Sequence, residues 1–193
     1  MCIFSVKLYW VINMVYYYKD LMGSYGSDYQ IRKAVNENKL YKLEPGIYSD
    51  KEKVHYLELF TRTYPNAIIS GDSAYYYHNL TDVIPSKIYM TTSRSSSRFN
   101  DDSIVQSYKS DDTFEIGKTN IDFEGVKINI YDRERMLVEL VRNKNSTPYD
   151  YYKEIINNYR KIKEELSIYK IQEYANIYSN NENIIARIQD EVF

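Results

Sequence analysis

The chain has 193 residues, a hydrophobic content of 44% and a formal net charge of −2 at pH 7. This length fits one large or two small domains, since domains commonly run to about 100–150 residues. The mean hydropathy is −0.58, and no apolar run approaches the roughly 18 residues of a membrane-spanning helix. The sequence therefore predicts a soluble protein that has no membrane partner.

The apolar N-terminal segment, residues 1–13, does not fit a secretion signal. It lacks a basic region, and no small-residue cleavage site follows it. Met14 is an alternative start, in which case residues 1–13 are an upstream extension. The single cysteine, Cys2, excludes an internal disulfide and is typical of a reducing compartment. We therefore expect a cytoplasmic protein.

Two short helices are expected after Met14. The first runs from Tyr16 to Met22 and ends at the cluster Gly23, Ser24 and Gly26, which supplies a flexible stop. Ser27 then begins the second helix, and Gln30 completes a Ser-x-x-Gln capping box in which each side chain bonds the other residue's backbone N–H. The apolar face of this helix carries Ile31, Ala34 and Val35.

A hairpin follows the second helix. The segment KLYKLEPGIYS favours two strands, and Pro45-Gly46 fits the central positions of a type II turn. Two helices followed by a wing-like hairpin predict a winged helix-turn-helix domain over residues 1–49. A linker helix from Lys51 to Tyr64, within residues 50–65, is expected to connect it to a second domain.

The second domain, residues 66–193, mixes strands and helices. Strands are expected at NAIISG, KIYMTTS, NIDFEG and VKINIYD, and a short helix at DSAYYYHNL. The final third is helical: Asp132 caps a helix to about Asn143, Thr147-Pro148 starts another, and two more cover residues 167–178 and 182–192. The predicted fold class is α+β, a winged helix-turn-helix followed by a mixed α/β domain with a helical C-terminus.

Most catalytic motifs fail on inspection. Gly117-Lys118-Thr119 is only the end of a phosphate-binding loop, because Asp112 occupies the position of its first glycine. Asp122, Glu124 and Lys127 have an E-x-x-K spacing rather than the E-x-K spacing of restriction-type nucleases, and a solvated hairpin is the favoured interpretation.

Metal and histidine chemistry are also disfavoured. Only Cys2, His55 and His78 are available as thiolate or imidazole ligands for zinc, and no two of them have a paired ligand spacing. Both histidines are interpreted as surface or packing residues. We predict no cofactor, no metal and no enzymatic activity.

The basic residues are unevenly distributed, but the excess in the N-terminal part is modest and does not by itself identify a DNA-binding protein. Residues 1–48 carry six Lys/Arg against four Asp/Glu, whereas the remainder carries nineteen against twenty-three. A loop in the second domain, SRSSSRFNDDS, places Arg94 and Arg98 among serines, which is one way to grip phosphates. A solvated loop is the alternative.

The order of the motifs resembles the AbiEi antitoxin family of type IV toxin–antitoxin systems. The resemblance covers roughly Val15 to Phe193 and rests on KLEPGIYSD, ISGDSAYYYHNLTDVIP and INIYDRERMLVELVRNK. The matching positions are Gly46-Ile47-Tyr48, Ser73-Ala74, Leu80-Thr81 and Arg135. The family implies a repressor that binds inverted repeats in its own promoter and a C-terminal domain that counteracts a nucleotidyltransferase-like toxin without needing a stable complex.

In a winged helix the second helix enters the major groove of double-stranded DNA with its N-terminal residues nearest the bases. The candidate DNA-binding residues on and around this helix are Ser27, Tyr29, Gln30, Arg32 and Lys33. Lys39 and Lys42 are expected to contact phosphates from the hairpin, and Arg94 and Arg98 from the second domain. Ordinary solvated side chains are the alternative for each charge, and direct toxin contact or nucleic-acid catalysis are the alternative functions.

Overall fold

The structure is a computed structural model that describes residues 15–193. Cys2, the alternative start at Met14 and the predicted extension over residues 1–13 lie outside the described residues. The described chain divides into two compact units. The first contains residues 15–65 and 124–126, and the second contains residues 66–123 and 127–193.

The first unit combines a small sheet with three helices. Its strands are β1 (Val15–Tyr17), β2 (Tyr41–Glu44) and β3 (Ile47–Ser49), and its helices are α1 (Tyr18–Tyr25), α2 (Asp28–Asn36) and α3 (Tyr56–Thr63). The sheet has the order β1-β3-β2 and is antiparallel throughout. β1 was not expected from the sequence, which predicted a helix from Tyr16.

Helix α1 ends later than predicted. It runs through Gly23 and Ser24 and stops at Gly26, whose φ of 74° is left-handed and whose N–H bonds the carbonyl of Met22 at 3.0 Å. Gly26 is the one glycine of the cluster that adopts this conformation, so it supplies the helix stop.

The core of the first unit is formed by Leu21, Ile31, Ala34 and Leu40, with six partly buried hydrophobic side chains packed around them. Ile31 and Ala34 are on the face of α2 that the sequence assigned to packing. Complete burial of a side chain the size of Ile31 supplies about 1.5–3 kcal/mol relative to exposure. The opposite face of α2 is therefore exposed and does not contribute to this core.

The predicted linker helix is shorter than expected. It begins at Tyr56 rather than Lys51, since residues 51–55 form bends and irregular backbone. Leu57 and Phe60 are buried, and Tyr17 of β1 donates its hydroxyl hydrogen to the carbonyl of Arg62 at 3.1 Å. α3 therefore packs within the first unit, against β1.

The second unit contains a mixed sheet and a cluster of helices. Its strands are β4 (Ile68–Ile69), β5 (Ile88–Ser93), β6 (Ile104–Lys109), β7 (Lys118–Phe123) and β8 (Val126–Tyr131). Its helices are α4 (Gly71–Tyr77), α5 (Asp111–Phe114), α6 (Arg133–Arg142), α7 (Tyr149–Lys161), α8 (Ile168–Ala175) and α9 (Asn181–Val192), with 3-10 turns at Lys144–Ser146 and Lys163–Glu165. The sheet order is β6-β5-β4-β8-β7, with β5 and β6 parallel.

Helix α6 is the centre of the second unit. Seven of its ten residues are buried, and α8 and α9 pack against it. Asp132 caps it as predicted, accepting a hydrogen bond from the backbone N–H of Arg135 at 2.9 Å. A helix that is buried on nearly all sides must place its charged residues in pairs, because an isolated buried charge is costly.

Both units combine sheet and helix, so the predicted α+β class is confirmed. The sequence did not predict β6 or α5. Within residues 15–193, no helix is both long and apolar enough to cross a membrane. The assignment of the first unit as a winged helix-turn-helix stays a prediction.

Candidate nucleic-acid interface

The outward face of α2 is polar and accessible. Tyr29 is 71% exposed, and Gln30, Arg32 and Lys33 are also accessible, whereas Ile31 and Ala34 of the same helix are buried. The spacing of 3.6 residues per turn separates the two sets cleanly. Four of the predicted contact residues therefore lie together on one accessible helical surface.

The predicted capping box is half formed. The backbone N–H of Gln30 donates to Ser27 Oγ at 3.3 Å, which fixes the start of α2. The reciprocal bond from Ser27 N–H to the Gln30 side chain is absent from the hydrogen bonds of residues 15–193. The prediction was wrong in that half, and the Gln30 amide keeps its donors and acceptor available for another partner.

Short-range ion pairs hold most of the cations near α2. Arg32 Nε lies 2.6 Å from Asp28 Oδ2, and Lys33 Nζ lies 3.8 Å from Glu37 Oε1. Lys39 Nζ bonds Glu37 Oε2 at 2.7 Å, which raises the pKa of Lys39 and lowers that of Glu37. All of these side chains are well exposed, so the pairs are weak and can be exchanged for other anions.

The hairpin β2–β3 places one further cation on the surface. Lys42 is exposed and lies opposite Tyr48 in the register, next to a shift that brings Glu44 opposite Ile47. Gly46 has a φ of 79°, which the third residue of a type II turn requires. The carbonyl of Gly46 accepts the N–H of Tyr18 at 2.8 Å, so the turn is fixed against the start of α1.

Arg94 and Arg98 lie in the second unit, and both are exposed. Their loop is ordered by Gln106, whose amide accepts from Phe99 N at 2.8 Å and donates to Ser97 O at 3.1 Å. Arg98 lines a broad polar groove of about 720 Å³, together with Lys87 and the acidic pair Asp101-Asp102. The two acids offset the two bases, which weakens the attraction of this groove for DNA.

The Gly117-Lys118-Thr119 segment has a packing role. Gly117 has a φ of 77°, and a Cβ built there would lie 2.7 Å from Arg135 Cβ. Its carbonyl accepts the N–H of Asp132 at 2.7 Å, and Lys118 pairs with Glu115 at 2.8 Å. A glycine is needed at this position because the chain passes directly over α6.

His78 is used in packing. Its Nε2 donates to the carbonyl oxygen of Tyr131 at 2.7 Å, and burial lowers its pKa more than this bond raises it. In the described part of the chain, no three His, Cys, Asp or Glu side chains are placed to hold a metal ion.

The positions that carry the family resemblance in the second unit are structural. Ser73 Oγ accepts the N–H of Tyr89 at 2.9 Å, and Thr81 donates its hydroxyl hydrogen to Glu154 at 2.8 Å. Ala74, Leu80 and Arg135 are all at most 1% exposed. These residues therefore define how the unit folds and do not present a binding surface.

Sequence reasoning missed a charged cluster around Glu139. Its Oε1 accepts from Arg135 Nη2 at 3.0 Å, from Lys109 Nζ at 2.9 Å and from the Tyr178 hydroxyl at 2.5 Å. Arg142 Nη1 lies 3.4 Å from Oε2. Burial would raise the pKa of Glu139, but these partners together hold it below its usual value. The sequence did not predict this cluster because Lys109 belongs to β6, a strand that was not predicted.

No family model matches the chain, and no curated protein is similar enough to count as a relative. The chain is similar in fold to a crystal structure of the Rv2827c protein from Mycobacterium tuberculosis, with a TM-score of 0.61 over 92% of this chain and 72% of that one. The two sequences are 13% identical in this comparison. The likeness is one of fold.

Proposed function

We propose that this protein is a cytoplasmic DNA-binding antitoxin of the type IV kind, which represses its own promoter through the first unit. The observation that carries the proposal is the accessible face of α2, where the Gln30 amide has no hydrogen-bond partner within residues 15–193 and Tyr29 is 71% exposed. The resemblance to the AbiEi family supplies the operon context and the toxin.

The size and chemistry of α2 suit the major groove of B-DNA, which admits one α-helix. Gln30 can bond an adenine through both ends of its amide, and Lys33 can reach guanine acceptors. Ser27 lies at the start of α2, so its hydroxyl group and the first backbone N–H groups of the helix can contact the same phosphate. In this arrangement, side chains of α2 contact the bases, and phosphate contacts from the residues around α2 set its orientation in the groove.

The hairpin and the loop cations provide backbone contacts in this proposal. Lys39 and Lys42 are exposed beside α2 and bind phosphates that flank the groove. Arg32 exchanges Asp28 for a DNA anion, a small loss because their ion pair is exposed. Arg94 and Arg98 contribute a weaker, sequence-independent attraction, since Asp101 and Asp102 adjoin them.

The test is a gel-shift titration of the full chain on its own upstream DNA and on a scrambled duplex at two salt concentrations. Gln30→Ala should weaken specific binding by about 1–3 kcal/mol and leave binding to the scrambled duplex unchanged. Lys42→Ala should weaken both and lower the salt slope by about 1. Neutralising roughly 6–10 phosphates predicts a fall in affinity of about 10³–10⁵ between about 50 and 200 mM salt.

Lys161→Ala is the matched control, because it removes one exposed charge from α7 in the second unit. It should behave as the unmodified protein on both duplexes. Equal and weak binding to the two duplexes, with no effect of Gln30→Ala, would contradict repression through α2.

A second candidate function is neutralisation of the toxin by direct contact. Ile168 and Tyr169, at the start of α8, are 48% and 75% exposed, and adjacent large hydrophobic side chains on a surface are typical of protein contacts. Co-purification of the toxin with this chain, lost in Tyr169→Ala and kept in Lys161→Ala, would favour it over a mechanism without a complex.

A further inference from the structure

The second unit contains a cleft of about 310 Å³ between the start of α4, strands β5 and β6 and the C-terminal half of α6. Its volume is at the lower end of the range for small-ligand sites, roughly 300–1,000 Å³. The lining combines hydroxyl groups, tyrosine rings and the Lys109, Glu139 and Arg142 side chains. This cleft is not used by the proposed DNA contacts.

The charges lining the cleft do not balance. Glu139 is already matched by Arg135, which is completely buried and bonds it through both Nε and Nη2 at 3.2 and 3.0 Å. Lys109 and Arg142 have no other carboxylate within 4.0 Å in the described chain. The cleft therefore carries two cations beyond the internal pair, and these cations favour an anion.

Both cations retain free donors. The five N–H groups of the Arg142 guanidinium make a single hydrogen bond within residues 15–193, to Glu139 at 3.4 Å. The Arg142 guanidinium is held 4.5 Å from the centre of the Tyr178 ring, which restricts its position. Lys109 uses two of its three donors, on Glu139 and on the Tyr178 hydroxyl.

A row of hydroxyl groups supplies another donor. Thr91 Oγ1 donates to Ser70 Oγ at 2.9 Å, and the Ser107 hydroxyl has both Thr91 Oγ1, at 2.8 Å, and the carbonyl of Met90, at 3.1 Å, as acceptors for its one hydrogen. In this arrangement, the hydroxyl hydrogen of Ser70 has no acceptor in the described chain. A phosphate in the cleft would accept it, together with the free N–H groups of Lys109 and Arg142.

Four tyrosines complete the lining, and two of them, Tyr75 and Tyr131, are buried. Tyr89 and Tyr108 border the cleft, and Tyr108 is 41% exposed. The Asp72 carboxyl group is hydrogen-bonded to the Tyr89 side chain and does not line the cleft. An aromatic face beside cationic donors is the combination that binds a base and its phosphate.

We propose that this cleft binds a nucleotide, with its phosphate held by Lys109, Arg142 and Ser70 and its base placed against the exposed ring of Tyr108. The ligand chemistry is shared by a free nucleotide and by the phosphorylated end of an RNA strand. The site is independent of promoter binding by α2, so each proposal can fail without the other.

Isothermal titration calorimetry of the full chain tests the proposal with the four nucleoside monophosphates and triphosphates, a 5′-phosphorylated RNA trinucleotide and inorganic phosphate. At least one nucleotide or the trinucleotide should bind more tightly than phosphate. Arg142→Gln should weaken that binding by roughly 10-fold or more. Preference for the trinucleotide would assign the site to a strand end, and preference for a free nucleotide to a metabolite.

The matched control is Arg133→Gln in the same helix. Arg133 and Arg142 have side chains that are 34% and 33% exposed, but Arg133 pairs with Glu165 and does not line the cleft. An equal loss in the two variants, or no binding of any probe by the unmodified protein, would overturn the proposal. Ser70→Ala, a smaller change, should also weaken binding if Arg142→Gln fails to fold.

Tyr108→Ala separates the base from the phosphate. It should weaken binding of the preferred nucleotide and leave binding of inorganic phosphate unchanged, since only the base uses the ring. Equal affinity for phosphate and all nucleotides would overturn the assignment to nucleotides, because the rings would then contribute nothing.

Discussion

Each unit contains an arginine–carboxylate pair four residues apart on one helix, and the two pairs differ in burial. Arg32 and Asp28 of α2 are separated by 2.6 Å, and their side chains are 78% and 45% exposed. Arg135 and Glu139 of α6 are separated by 3.0 Å, and theirs are 0% and 12% exposed. The shorter pair is the weaker one, because water screens it and each partner can leave at little cost.

This difference assigns different roles to charges with the same local spacing. The exposed pair on α2 is available for exchange with a ligand, as the proposed DNA contacts require. The buried pair on α6 is a fixed part of the core, and its remaining neighbours, Lys109 and Arg142, take their positions from it. Burial, rather than pairing distance, separates a binding surface from a structural network.

The largest difference in stability between the two units is expected when the arginine of each pair is removed. Arg135→Ala should destabilise the second unit by about 3–5 kcal/mol, because it breaks the buried pair with Glu139 and leaves a cavity in place of a completely buried side chain. Arg32→Ala should cost the first unit no more than about 1 kcal/mol. Native-state hydrogen exchange measures the two units separately through the amides of α6 and α2. Equal costs would show that burial does not distinguish the pairs.

Two glycines extend the same contrast to the backbone. Gly117 and Gly46 have φ of 77° and 79°, but only Gly117 faces a close neighbour, since a methyl group added there would lie 2.7 Å from Arg135 Cβ. Gly117→Ala should cost about 2–3 kcal/mol from strain and overpacking together. Gly46→Ala should cost about 1 kcal/mol, from its φ alone. Urea unfolding of each variant measures both costs. If Gly46→Ala costs as much as Gly117→Ala, the contact with Arg135 Cβ does not contribute to the cost at position 117.

The pH dependence of the stability of the second unit should report the protonation of His78. Burial lowers its folded-state pKa below the ordinary 6.5, so the unfolded chain binds a proton first as the pH falls. The contribution of His78 is therefore complete above about pH 6.5 and is lost below it. His78→Gln keeps a donor for the Tyr131 carbonyl and should flatten the decline in melting temperature between about pH 6.5 and pH 5.5. An unchanged decline would place the titrating group elsewhere.

The smallest stability effects are expected on the outward face of α2. Gln30→Ala and Lys33→Ala should change the free energy of unfolding by no more than about 0.5 kcal/mol, because neither side chain is packed. Their effect should appear in DNA affinity instead. A large loss of stability in either variant would make the α2 face a packing surface and remove the contrast between the units.

Local signals predicted the elements whose boundaries depend on neighbours in sequence. The Asp132 cap, the Pro45-Gly46 turn and the buried face of α2 all follow from spacings of a few residues. The predicted start of α3 was wrong because the apolar stripe in the sequence extends further than the segment that packs against other elements. The strand β6 was missed because its alternation is weak and because it pairs in parallel with β5, each residue lying opposite one sixteen positions earlier in the chain.

The candidate DNA surface was largely accessible to prediction, since exposure on an amphipathic helix follows from its period. The half-formed capping box was not, because the orientation of an exposed amide is not set by its neighbours in the chain. The cleft was beyond prediction: Ser70, Lys109 and Arg142 come from three separate segments. No local spacing relates them.

Periodicity, caps and turns along the chain were enough to define the α+β class, the helix pair and hairpin of the first unit, and the apolar faces of their helices. They could not define which charges became core and which stayed on the surface. Arg32 and Arg135 each have a carboxylate four residues away in the sequence, yet only Arg135 is enclosed by the sheet and the C-terminal helices. Burial results from contacts between distant segments, and those contacts set the cost and the role of each charge.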